Sequence, residues 1–140
     1  MNKILNLVFI LISLFALVQH TESLPLDLGR TTKHILAILG IATFYDVEAG
    51  LGSCGIQSSA SEFVVAVNHE QMGNEVNPNN NPRCKQQVKI DGPKGKSIMA
   101  DIVDTCPGCN YGCLDMSTSL FQEVCGGLEL GICKIKWTFV

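Results

Sequence analysis

The 140-residue sequence predicts an all-β domain, a small closed barrel with one short helix and long irregular loops. Three observations carry this expectation. Five short stretches are β-rich, and most alternate apolar with polar residues, the period of a half-buried strand. Clusters of glycine, proline and asparagine separate them, as tight turns require. Seven cysteines follow an N-terminal export signal, where they read first as disulfides.

The chain opens with that signal. Lys3 precedes a nearly apolar run, Ile4–Val18, and then Gln19, His20, Thr21, Glu22 and Ser23. The run of about 15 residues is short of the roughly 20 that a spanning helix needs. A basic start, a short apolar core and small residues near its end predict a secretory signal peptide over residues 1–23, cut after Ser23. The remaining 117 residues (140 − 23) suffice for one domain with a single core. Residues 24–39 read as an N-terminal leader, and residues 40–140 as the domain. Net charge is −3, and the signal removes one lysine and one glutamate, leaving it unchanged. With no basic run and no interleaved aromatics, nucleic acid is not an expected partner, nor is a membrane once the signal is gone.

In Ile41–Asp46, Ile41, Thr43 and Tyr45 share one face, and Ala42 and Phe44 the other. Glu48–Gly55 is a glycine-rich loop holding Cys54. Phe63–Val67 is apolar on both parities, as in a strand buried on both sides. Asn68–Arg83 is polar and rich in asparagine and proline, an exposed loop able to wall a groove. Lys85–Asp91 alternates, and Asp91-Gly92-Pro93-Lys94-Gly95 turns it into the next strand as a hairpin. Ser117–Cys125 reads as a helix, with Ser119 and Gln122 spaced as a capping box and Gly126-Gly127 as the stop. In Cys133–Phe139, Cys133, Ile135, Trp137 and Phe139 face one way, and Lys134, Lys136 and Thr138 the other.

The stretch Ser97–Ser117 carries the chemistry. Ile98, Ala100 and Ile102 alternate with Met99, Asp101 and Val103 up to Asp104, where Pro107 and Gly108 end the strand. By parity Asp104 falls on the apolar face as that face ends. Asp115 lies between Leu114 and Met116, which should partly desolvate it and raise its pKa. Cys106-x-x-Cys109 with Cys113 lacks the second Cys/His pair of a structural zinc site, so no metal or other cofactor is expected. Seven cysteines leave at least one outside an internal pair.

The motifs Thr43-Phe44-Tyr45, Ser53-Cys54-Gly55, Asn81-Pro82-Arg83-Cys84, Gly95-Lys96-Ser97, Val103-Asp104-x-Cys106-Pro107-x-Cys109, Leu114-Asp115-Met116-Ser117 and Lys136-Trp137 occur in that order. Together they resemble the double-psi β-barrel of expansin-like proteins, including the small secreted fungal loosenins. That superfamily also holds barwin and bacterial rare lipoprotein A. The likeness covers about residues 40–140. It implies a six-stranded, disulfide-stabilised barrel with one or two short helices, in a secreted, monomeric protein.

The resemblance also implies a function. Expansins loosen cell walls without cleaving bonds, and their groove residues match Thr43, Tyr45, Asp104 and Asp115 here. The expected partner is cell-wall polysaccharide. Family-45 glycoside hydrolases share the barrel and use an aspartate like Asp115 as general acid, together with a second carboxylate; Asp46 is the candidate base near the first strand. A weak endoglucanase is therefore an alternative, and acid/base hydrolysis would need its two carboxyl groups about 5–9.5 Å apart. A secreted effector or protease inhibitor on the same barrel, binding through a loop such as Asn68–Arg83, is another. The look-alikes imply a Cys54–Cys84 bridge, closing a loop of about 31 residues. Cys106–Cys109 and Cys125–Cys133 would complete the pairing and leave Cys113 free, although Cys113 could replace either partner of Cys106.

Two departures stand out. Cys106 occupies a position where some expansins carry an aromatic, and Cys113 one where small fungal members lack a cysteine. No carbohydrate-binding domain is expected after Val140, so wall affinity would rest on the barrel. Each site residue also has a structural reading. Asp104 could accept backbone N–H bonds, Asp115 could be a structural acceptor, and Asp46 could open a turn. Thr43 and Tyr45 could be rim packing, and Trp137 reads as core.

Overall fold

The computed structural model describes residues 36–73 and 75–140. The expected signal peptide, and the leader as far as residue 35, lie outside the described residues. Six strands run β1 (Ile38–Phe44), β2 (Val64–Asn68), β3 (Gln87–Asp91), β4 (Ser97–Cys106), β5 (Leu114–Met116) and β6 (Cys133–Phe139). They close into one barrel in the order β1-β5-β2-β4-β3-β6. The pairs β1/β5 and β2/β4 are parallel, and the other four are antiparallel. Two short helices, α1 (His69–Met72) and α2 (Thr118–Val124), pack outside the ladder. This is the closed six-stranded, disulfide-bonded barrel that the resemblance implies, with β5 added to the five strands marked by the residue pattern. Among the described residues no helix is long and apolar enough to cross a membrane.

The inward faces follow the period of two. Val88 and Ile90 of β3, Ile98, Ala100 and Ile102 of β4, Leu114 and Met116 of β5, and Ile135 and Trp137 of β6 are all buried. Leu120, Phe121 and Val124 of α2 join the same core, with the Phe121 ring 4.9 Å from that of Phe44. Trp137 is 1% exposed, so it is core, and its Nε1–H donates to the Gly112 carbonyl at 2.7 Å. That carbonyl lies against β1: a Cβ on Gly40 would meet Gly112 O at 1.8 Å, so the close approach requires glycine there.

β2 is buried on both faces. Val65 and Val67 point into the core, while Val64 joins Val47 and Val103 in a small outer cluster with Tyr45 and Ile56. A shift of register opposite Val65 and Ala66 pairs Ile102 with Val65 but Asp104 with Ala66. Val103 is the extra residue of this β-bulge, and it moves Asp104 off the parity of Ile98 and Ile102 onto the outer face. An unbroken period of two cannot anticipate that change.

Three local expectations from the sequence are corrected. β1 starts at Ile38, because Ile38 and Leu39 pair with Trp137 and Lys136 of β6, and it ends at Phe44. Ile38 and Leu39 thus belong to the barrel, and Tyr45 and Asp46 follow the strand. The region from Asn68 is not wholly exposed. Asn68 is fully buried, accepts from the Gln71 N–H and donates to Gln71 Oε1 and the Cys113 carbonyl. Asn81 is also buried, with Nδ2 donating to the Met72 carbonyl. The capping box does not form. Ser117 is the N-cap without a side-chain cap bond, and Ser119 Oγ donates instead to the Glu62 carbonyl at 3.1 Å.

Disulfides join Cys54 to Cys84, Cys106 to Cys109 and Cys125 to Cys133, and Cys113 is a free, half-buried thiol. The first spans 30 positions and the second only 3. In the chain-entropy picture these closures are worth roughly 3–4 and about 2 kcal/mol, so the first contributes far more to the fold.

Candidate functional site

The register builds a row of side chains across four neighbouring strands. Thr43 of β1 pairs with Asp115 of β5, Asp115 pairs with Ala66 of β2, and Ala66 pairs with Asp104 of β4. Thr43, Asp115 and Ala66 lie on the outer face, since Ala42, Phe44, Leu114, Met116, Val65 and Val67 beside them pack in the core, and the bulge at Val103 brings Asp104 to the same face. With strands about 4.8 Å apart, the two aspartates stand about 10 Å apart at Cα, with only the methyl group of Ala66 between them. Tyr45, just past the end of β1, is held by its backbone N–H on the Met116 carbonyl at 3.0 Å.

The two aspartates are held differently. Asp104 Oδ1 accepts the Ser53 and Thr105 backbone N–H groups, both at 2.7 Å. It thereby anchors the glycine-rich loop to β4, and a hydroxyl pair, Ser53 Oγ and Thr105 Oγ1 at 2.8 Å, reinforces the joint. Gly52 lies directly on Val103 and Asp104, where a Cβ would come within 2.4 Å of the Val103 carbonyl. Asp115 Oδ1 accepts one bond, from Thr43 Oγ1 at 2.6 Å. Its carboxyl holds its proton above the usual aspartate range. Burial is the main cause, the Thr43 bond opposes it, and the charge of Asp104 adds to it.

The expected source of that burial needs correction. Leu114 and Met116 point into the core, so they do not flank the carboxyl. Asp115 is desolvated by its central place in the row. Burial also raises the Tyr45 phenol, followed by the charges of Asp104 and Asp115 and by the pull of the Asp104 carboxylate on the phenol proton.

Thr43, Tyr45, Asp104 and Asp115 are thus brought together, and Asp46 is not one of the row. It is exposed, and its Oδ1 accepts the Glu48 N–H at 3.0 Å within its own turn. The Cys106–Cys109 bridge lies beside the row: its two sulfurs and an Asp115 oxygen are all within 4.8 Å of one another. Sequence reasoning missed Ala66 and the Ser53–Thr105 latch. A small residue within Val64-Val65-Ala66-Val67 reads equally as core, so nothing local marked Ala66 as the gap between the two aspartates.

No protein-family model matches the chain. Over 86 residues, 61% of its length, it is 41% identical to "Allergen Asp f 7 homolog" of Arthroderma benhamiae, and it spans only 28% of that protein. Over 129 residues it is 29% identical to "Papain inhibitor" of Streptomyces mobaraensis, covering 89% of each. Among solved structures, Streptomyces papain inhibitor superposes with a TM-score of 0.68 at 30% identity, over 75% of this chain and 94% of that one. An expansin of Clavibacter michiganensis follows at 0.63 and 26%, over 75% of this chain and 50% of the expansin. A variant of that expansin, in complex with cellohexaose, matches to the same extent. With the closed barrel and its order of strands, these likenesses identify the chain as a member of the double-psi β-barrel family that includes Streptomyces papain inhibitor and the expansin barrel.

Proposed function

We propose that the outer row of Thr43, Ala66, Asp104 and Asp115, with Tyr45 at its edge, is a groove that binds a cell-wall polysaccharide and loosens its packing without cutting it. The observation that carries this reading is the row itself. It offers hydroxyl and carboxyl groups at strand spacing on an open face, able to exchange hydrogen bonds with sugar hydroxyls. The related expansin bound to cellohexaose supports the ligand class. The non-hydrolytic reading rests on Asp46, whose carboxylate is engaged in its own turn and so is poorly placed as a base opposite Asp115. The protein is secreted in this reading. Retention on insoluble cellulose, xylan, chitin and peptidoglycan, with reducing-sugar release measured alongside, tests it. Retention on one polymer without sugar release is the expected result, and Asp115→Asn should abolish it. Sugar release that disappears in Asp115→Asn would instead make the protein a glycoside hydrolase.

A second reading, inhibition of a papain-like cysteine protease, is favoured by the likeness to papain inhibitor over 89% of both chains. Titration of active papain with the protein separates the two. Inhibition that survives Asp115→Asn would locate the working surface away from the groove, as in the loop between β2 and β3.

A further inference from the structure

We propose that the Cys106–Cys109 disulfide is a thiol-exchange site, attacked by an incoming thiolate while the Asp115 carboxyl protonates the sulfur that leaves. Four observations lead there, none of which depends on the polysaccharide reading. The first is the spacing, Cys106-Pro107-Gly108-Cys109, a Cys-x-x-Cys pair of the kind that disulfide-exchange chemistry uses. The second is access. Both cysteines are half-exposed and Pro107 and Gly108 are exposed, whereas each other bridge has one cysteine buried in the core, Cys54 or Cys125. Exposed disulfides are the labile ones. The third is structural redundancy. The bridge spans 3 positions, and the Cys109 N–H already meets the Cys106 carbonyl at 3.4 Å across the same turn. The fourth is the partner group, an Asp115 oxygen within 4.8 Å of both sulfurs.

The electrons balance without a cofactor. A thiolate attacks one sulfur, the S–S bond breaks, and its electron pair goes to the other sulfur, which takes the Asp115 proton. A second thiolate attacks the mixed disulfide, releases the oxidised dimer of the attacking thiol and leaves Cys106 and Cys109 reduced. Two electrons pass from two thiols to the bridge. Burial keeps the Asp115 carboxyl protonated to a higher pH than an ordinary aspartate, which suits it to donate. The titratable groups facing it are Asp104, whose charge favours the protonated form, and Tyr45, which stays neutral below its raised pKa.

The test uses the oxidised chain carrying Cys113→Ser, so that no free thiol competes. Reduced glutathione is added, samples are alkylated at intervals, and the bridges are mapped by mass spectrometry. The Cys106–Cys109 bridge should open roughly tenfold or more faster than the other two. Its rate, divided by the glutathione thiolate concentration, should fall as pH rises through the Asp115 pKa, and Asp115→Asn should flatten that profile. A parallel arm with active papain separates a protein thiolate from a small thiol; a mixed disulfide in either arm supports the site. The proposal is overturned if Cys106–Cys109 opens no faster than the others, or if the profile is the same with and without Asp115. Should Asp115→Asn fail to fold, the unsubstituted aspartate decides: a flat normalised profile overturns the proposal.

Discussion

The inside of the barrel and the outer face that carries the polar row are two sides of the same strands, and they are held by different forces. Inside, Trp137, Phe121, Ile90, Ile102 and Leu114 are almost without exposure, and position follows from close packing of apolar volume. Outside, Thr43, Asp104 and Asp115 are half-exposed, and position follows from one or two hydrogen bonds of 2.6–2.7 Å to each carboxylate. A substitution inside should therefore cost stability and leave the chemistry intact wherever the chain still folds. A substitution outside should do the reverse, except where the polar group also anchors backbone.

Substitutions ordered by their expected effect on stability can break that contrast. Trp137→Ala removes the largest buried side chain and its bond to Gly112, and should cost about 3–5 kcal/mol in chemical denaturation. A cost below that of an ordinary surface change would mean that the core is not centred on β6. Asp104→Ala should be the exception outside. It leaves the Ser53 and Thr105 N–H groups without their acceptor, a loss of about 1–3 kcal/mol. Hydrogen exchange should then accelerate at Ser53 before it does in the strands.

Asp115→Asn sharpens the contrast through pH. An aspartate that binds its proton more tightly in the folded chain contributes stability that is full below its unfolded pKa, about 3.9. That contribution is lost as pH rises through the higher folded value. Asn keeps an acceptor for Thr43 without the charge. Melting curves should make the variant as stable as the original chain or more so at neutral pH, with the advantage shrinking as the medium is acidified through the carboxyl range. A variant that is less stable at neutral pH would assign Asp115 a structural role. The smallest effect should come from Asp46→Asn, within about 0.5 kcal/mol and with polysaccharide retention unchanged, because an amide oxygen can still accept the Glu48 N–H. Loss of retention in that variant would bring Asp46 back as a site residue.

Much of the interior was legible in the sequence. Cys133–Phe139 and the hairpin between Lys85 and Asp104 alternate cleanly, and the structure pairs Ile90 with both Ile98 and Trp137. The outer face was less so, for reasons that can be named. β5 is 3 residues long, too short to display a period. The bulge at Val103 reverses the face of Asp104 without changing the composition around it. Ala66 became informative only when its neighbours across β4 and β5 were known, since nothing local distinguishes a gap between two aspartates from a tight core. Gly40 read as the start of the domain, yet it lies inside β1 where a neighbouring backbone leaves no room for Cβ.

The row across β1, β5, β2 and β4 also bears on how the protein reaches its working state. Thr43 and Asp115 are 72 residues apart in sequence, and both parallel pairings join distant parts of the chain. Contacts of such long range form slowly, because the intervening chain must be ordered before they can reward it. No hairpin or local fragment contains two neighbouring members of the row, so a half-folded chain has no partial row. Affinity for a ligand of this face is then a property of the closed barrel alone. By linkage such a ligand would raise the melting temperature and slow the opening of β5, the shortest strand and the one that holds β1 to β2.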